Sequence, residues 1–114
     1  MWASTIAGRF PETAETGHRG YHHRLYSFRT RDFGTIGPAD RFYEPGFQVI
    51  DGSLFQVRGK YAMVARNETF RPEAKHLFLT FARSLKDPRI NPTPAVSGTE
   101  WAEGPSPVAI GGHW

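Results

Sequence analysis

An all-β fold of repeated antiparallel units is predicted by three observations. First, an offset of 52 residues recurs between separated patches: Asp51 and Glu103, Gly52 and Gly104, Gly59 and Gly111. Arg24-Leu25-Tyr26-Ser27-Phe28 answers to His76-Leu77-Phe78-Leu79-Thr80, and Thr30-Arg31-Asp32-Phe33 to Ala82-Arg83-Ser84-Leu85, at the same spacing. Second, 12 Gly and 9 Pro punctuate 114 residues, which favours many short strands over long helices. Third, the stretches between these breakers are short and rich in aromatic and branched residues. A period of about 50 residues falls in the range of propeller blades.

Taken in order, Met1 to Ile6 is strand-like, and Ala7 to Gly20 is a polar loop with Gly and Pro. Tyr21 to Arg29 is the next strand, ended by Asp32-Phe33-Gly34. Gly37-Pro38 and Pro45-Gly46 are turn signals around the short segment Arg41-Phe42-Tyr43. Phe47 to Val57 is an apolar strand interrupted by Asp51, and Arg58-Gly59 is a tight turn of positive φ. Lys60 to Arg66 is the returning strand, with Tyr61, Met63 and Ala65 on one face and Ala62 and Val64 on the other. Asn67 to Ala74 is a polar loop. Lys75 to Arg83 is the most continuous apolar run, expected as a strand buried on both faces, with a short helix as the alternative. Asp87-Pro88 and Asn91-Pro92-Thr93-Pro94 break the chain again. Trp101 opens a further unit, with Val108 to Ile110 as a strand, Gly111-Gly112 as a hairpin turn and His113-Trp114 returning.

Each unit then reads as acid, strand, turn, strand, loop, strand, turn and edge segment: a four-stranded blade. Residues 1–45 would be the end and edge of one blade, 46–98 a complete blade, and 99–114 the start of the next. About two blades fall short of the four to eight of a closed propeller. The chain is therefore expected to be a piece of a longer protein; the alternative is a ring closed by several copies. Exposed blade edges would offer a route to self-association.

Composition narrows the function. The net charge is +3, from 14 Lys and Arg against 11 Asp and Glu. The cations are scattered along the sequence, so no nucleic-acid partner is expected. With no Cys, disulfides and thiolate metal sites are excluded and the redox compartment is undetermined. No apolar run approaches the roughly 18 residues of a membrane span, and Met1 to Phe10 lacks the apolar core of a signal peptide. His22, His23 and His76 have no acidic partner at ligand spacing, so neither a metal nor another cofactor is expected.

Val49-Ile50-Asp51-Gly52-Ser53-Leu54-Phe55 followed by Gly59-Lys60-Tyr61, and Trp101-Ala102-Glu103-Gly104-Pro105 followed by Gly112-His113-Trp114, resemble glycoside hydrolase family 43. Its members are five-bladed β-propeller glycosidases, including arabinofuranosidases, xylosidases and arabinanases. The resemblance covers most of the chain; Tyr26 to Phe33 is similar to the strand leading into a Thr-x-Asp-Phe turn in these proteins. It implies an inverting hydrolase of arabinose- or xylose-containing carbohydrate. Glu103 matches the general acid and Asp51 the residue that orients and tunes it. The family's third carboxylate, the Asp general base, would fall upstream of Met1. The chain alone is therefore expected to be inactive, and a carbohydrate-binding propeller without hydrolysis is the alternative.

Such chemistry needs one carboxylic acid protonated near neutrality, well above the about 4.3 of a free Glu. Trp101, Ala102 and Pro105 are expected to desolvate Glu103, and Asp51 to oppose its ionisation. The plainer readings are an Asp-Gly turn at Asp51 and a solvated strand end at Glu103. Trp101 is a candidate sugar platform, or else a residue of the core or of the channel wall. Asn67 and Glu68, with Arg66, are candidates to hydrogen-bond sugar hydroxyls, or members of a solvated loop.

Overall fold

The computed structural model describes residues 2–5, 23–69, 73–87, 92–95 and 101–114. The loop expected over Ala7 to Gly20, His22, and the breaks at Pro88 and Asn91 lie outside them. The described residues form two antiparallel sheets. The first comprises β1 (Trp2–Thr5), β2 (Arg24–Ser27) and β3 (Asp40–Tyr43). The second is four-stranded, in the order β4 (Val49–Val57), β5 (Lys60–Asn67), β6 (Leu77–Ala82) and β7 (Thr93–Pro94). Within each sheet every strand pairs with its sequence neighbour.

The 52-residue offset holds in the pairing at one position, and the bulge after Leu25 shifts the rest by one residue. Leu25 pairs with Tyr43; 52 residues on, Ala95 N donates to Leu77 O at 3.0 Å. The turns after β2 and β6 also match. Asp32 Oδ1 accepts from Gly34 N at 2.9 Å, and Ser84 Oγ, 52 residues later, accepts from Lys86 N at 3.3 Å. A short polar side chain that reaches two residues ahead fixes both turns.

Register gives the sheets a common polarity. Val49 N donates to His23 O at 3.3 Å, so the start of β4 lies beside the start of β2. Ile50 pairs with Arg66, and Arg66 with Leu77, so β6 starts at that same end. This opening end holds Asp51, Asn67 and Lys75. The opposite, turn end holds the Arg58-Gly59 hairpin and the turns at 30–35 and 83–87. Arg58 has φ 48° and Gly59 φ 74°, the left-handed pair that a two-residue hairpin needs.

The core lies where the sheets meet. Leu25 and Tyr43 from the first sheet pack with Val49, Met63, Ala65 and Phe78 from the second. The Phe78 ring meets Phe47 edge-on at 5.3 Å and Tyr43 at 6.2 Å. Gly52 makes this approach feasible: a Cβ there would stand 2.6 Å from Leu25 Cδ1.

Three expectations are corrected. β6 is shorter than Lys75 to Arg83, and only alternate residues, Phe78, Thr80 and Ala82, are fully buried; its other face is half-covered because only one sheet packs on it. Thr93-Pro94 is not a break but the edge strand β7, where Pro is tolerated because its missing N–H faces outward. Val108-Ala109 forms no strand; the hairpin shrinks to a single bridge, Ile110 with His113, around Gly111 and Gly112 at φ 57° and 80°. Trp114 leans on Phe55 at 4.7 Å.

Candidate functional site

At the opening end, 101–105 lies across the starts of β4 and β6 and the end of β5. Ala102 N donates to Lys75 O at 3.4 Å, Gly104 N to Asp51 Oδ2 at 3.2 Å, and Ser53 Oγ to Pro105 O at 2.5 Å. Asp51 occupies a β-bulge: one extra residue of β4 is accommodated between Ile50 and Ser53, and Asp51 takes φ 53°. The bulge turns its carboxylate out of the ladder and towards the incoming segment. Asp51 and Glu103 are thereby brought to one place, the first carboxylate bonded to the amide that follows the second.

Arg66 completes the arrangement. Its Nη1 donates to Glu103 Oε2 at 2.5 Å, and its Nε lies 3.0 Å from Glu68 Oε2, an ion pair whose angle makes no hydrogen bond. Lys75 Nζ pairs with Glu68 Oε1 and reaches Glu68 O at 3.3 Å. Arg66 and Lys75 are both buried, whereas the Glu103 side chain is 73% exposed. The buried cations would be costly without partners; Glu68, shared between them, meets that need. Glu103 is the one member of this network that reaches solvent freely.

Of the expected site residues, Asp51, Glu103 and Glu68 belong to this assembly. Asn67, expected in a loop, is the last residue of β5, and its Oδ1 accepts from Thr69 N at 2.9 Å, capping the strand's end. Trp101 is 66% exposed, so it is not a core residue, one of its expected readings. The dry surroundings expected for Glu103 are likewise not formed by Trp101 and Pro105, because an exposed indole excludes little water. Gly104 differs from Gly52. No atom lies within 4 Å of a Cβ built there, and its φ of 59° is what selects glycine.

Sequence reasoning attached no role to Arg24 or Lys75. Both are buried and carry ion pairs, Arg24 Nε to Glu44 Oε1 at 2.6 Å, with Arg41 on the other oxygen at 2.5 Å. Their signal was position: Arg24 opens β2 and Lys75 lies two residues before β6, at the same end of each sheet. His23 is held through Nδ1 to Gln48 Oε1 at 2.8 Å, which gives it a packing partner rather than a ligand's role. Among the described residues no group of three His, Asp or Glu is placed to hold a metal ion. No family model, no curated protein and no solved structure matches this chain.

Proposed function

We propose that the two sheets are blades of a β-propeller of glycoside hydrolase family 43 type, and that the opening end is an inverting glycosidase site for arabinose- or xylose-containing carbohydrate. Glu103 is its general acid and Asp51 the residue that orients and tunes it. The observation that carries this reading is the seating of Asp51 on the Gly104 amide beside an exposed Glu103 that Arg66 holds by one oxygen. One carboxylate is held by its neighbours and another is open to a ligand, which supports a division of labour between them. The repeat supports the blade reading, since equivalent strands and turns recur at one spacing and the unit-to-unit backbone bonds follow it to within one residue.

The test is the release of arabinose or xylose from oligosaccharides and from aryl glycosides. In the intact protein, Glu103→Gln should reduce turnover by about 10²–10⁴-fold on sugars with poor leaving groups and much less on activated aryl glycosides. Equal turnover by wild type and Glu103→Gln on the poor leaving groups would remove Glu103 from the role.

A second reading, carbohydrate binding without hydrolysis, has one observation in its favour. Glu68, the remaining carboxylate of the network, is committed to Arg66 and Lys75 and so is not poised to activate water. Calorimetric binding of arabino- or xylo-oligosaccharides with no product formed would select this reading. Neither heat nor product would overturn both.

A further inference from the structure

The cations that are scattered in sequence are gathered in space at the turn end. Arg29 and Arg31 flank the turn after β2, Arg58 and Lys60 the β4–β5 hairpin, and Arg83 and Lys86 the turn after β6. All six are exposed, and none is ion-paired to a described residue. Lys60 and Arg83 continue the register of Tyr61 with Ala82, which sets them side by side at the sheet's end. The carboxylates here are Asp32, Asp40 and Asp87. Two of these are occupied by backbone amides: Asp32 Oδ1 takes Gly34 N and Thr35 N, and Asp87 Oδ2 takes Ser84 N at 3.0 Å. The opening end is the reverse, with Arg24, Arg66 and Lys75 buried against glutamates.

The turn after β2 also encloses an open depression of about 1200 Å³, lined by Phe28, Arg29, Thr30, Arg31, Asp32, Phe33, Thr35 and Gly37. Phe33 is 74% exposed at φ 61°, an unfavourable backbone for a bulky residue and a costly placement for a ring in water. Thr30 Oγ1 holds it there by accepting from Phe33 N at 2.9 Å.

We infer that the turn end is a second carbohydrate-binding surface, for an acidic polysaccharide carrying a carboxylate on its sugar rings. Guanidinium groups match carboxylates in planar, two-point hydrogen bonds, and the Phe33 ring presents a flat apolar face to a sugar. The concave site and the carboxylates interleaved among the cations suit a polymer with separated charges. They suit less well the dense phosphates of a nucleic acid or the flat sheet of a membrane. The preference for a polysaccharide over other polyanions rests on the carbohydrate-acting reading of the opposite end.

The test is binding of the whole chain to polygalacturonate, with neutral arabinan, single-stranded oligonucleotide and phosphatidylserine-containing vesicles as comparators. Polygalacturonate should bind best, with an affinity that falls as salt shortens the screening length. Arg29→Gln with Arg31→Gln, and separately Phe33→Asn, should each weaken it by about tenfold, the loss of one charge-assisted hydrogen bond or its equivalent. All three positions are exposed, and Asn tolerates the left-handed backbone better than Phe, so the unfolding midpoint should not fall. Glu103→Gln should bind as wild type whether or not the chain hydrolyses any glycoside, which keeps this surface separate from the proposed active site. Wild-type affinity in the arginine variant, loss of binding in Glu103→Gln, or tighter binding to oligonucleotide or vesicles would each overturn the inference.

Discussion

The two sheets are built alike at one end and differently at the other. At the turn end, Asp32 and Ser84 stand 52 residues apart and tie their turns by the same reach to the amide two residues on. At the opening end, the two sheets carry different groups. His23 meets Gln48 and Arg24 meets Glu44 in the first sheet, whereas Lys75 and Arg66 share Glu68 in the second, and Arg66 extends to Glu103. Apolar positions and turn chemistry preserve the repeated skeleton. The divergence is confined to the end where one unit hands over to the next, and that is where ligand chemistry can be placed without disturbing the skeleton.

The comparison can be broken most forcefully at the shared core. Phe78 and Tyr26 are 52-residue counterparts, but Phe78 is 2% exposed between Phe47 and Tyr43 while Tyr26 is half-buried. Phe78→Ala should cost about 3–5 kcal/mol in denaturant unfolding, and Tyr26→Ala below about 2 kcal/mol. Equal costs would mean that the two sheets contribute equally to the core, against the packing described.

A smaller effect sharpens the contrast between the paired glycines. Gly52→Ala should destabilise by about 1–3 kcal/mol, because the fully buried Leu25 has little room to give. Trimming Leu25 in the same chain should recover part of that loss, a coupling that a double-mutant cycle reads directly. Gly104→Ala should cost about 1 kcal/mol from its backbone alone, with no coupling to Leu25.

The smallest effect concerns the turns. The amides of Thr35 and then Gly34 hold the Asp32 carboxyl below its ordinary value of 3.8. A depressed native value favours the folded state above that ordinary value, and the benefit is lost as pH falls through the lower native one. Asp32→Ser copies the residue found at position 84 and has nothing to titrate. The stability gap between wild type and Asp32→Ser should therefore shrink on acidification; a gap independent of pH would show that Asp32 acts through its shape alone.

Much of the fold was legible because its signals are local. Arg58-Gly59 announced a hairpin, the alternation in Lys60 to Arg66 announced a two-faced strand, and the repeat aligned β2 with β6. Thr93-Pro94 misled because a prolyl break and an outward-facing edge strand read identically without knowing which neighbour is missing. At the site, the proximity of Asp51 and Glu103 was legible from their shared offset. The burial of Arg24, Arg66 and Lys75 was not, since their partners Glu44, Glu68 and Glu103 are found only by pairing strands and docking 101–105. Nor could a linear scan reveal that six scattered cations converge where the strands turn.

The bulge at position 51 also explains a choice of residue. A backbone twisted to φ 53° is tolerated by aspartate, asparagine and glycine far better than by longer side chains. Geometry, before any demand of chemistry, thus selects the shorter acid there. Asparagine is then the faithful probe of its charge, and glutamate would confound a change of reach with a change of main-chain shape.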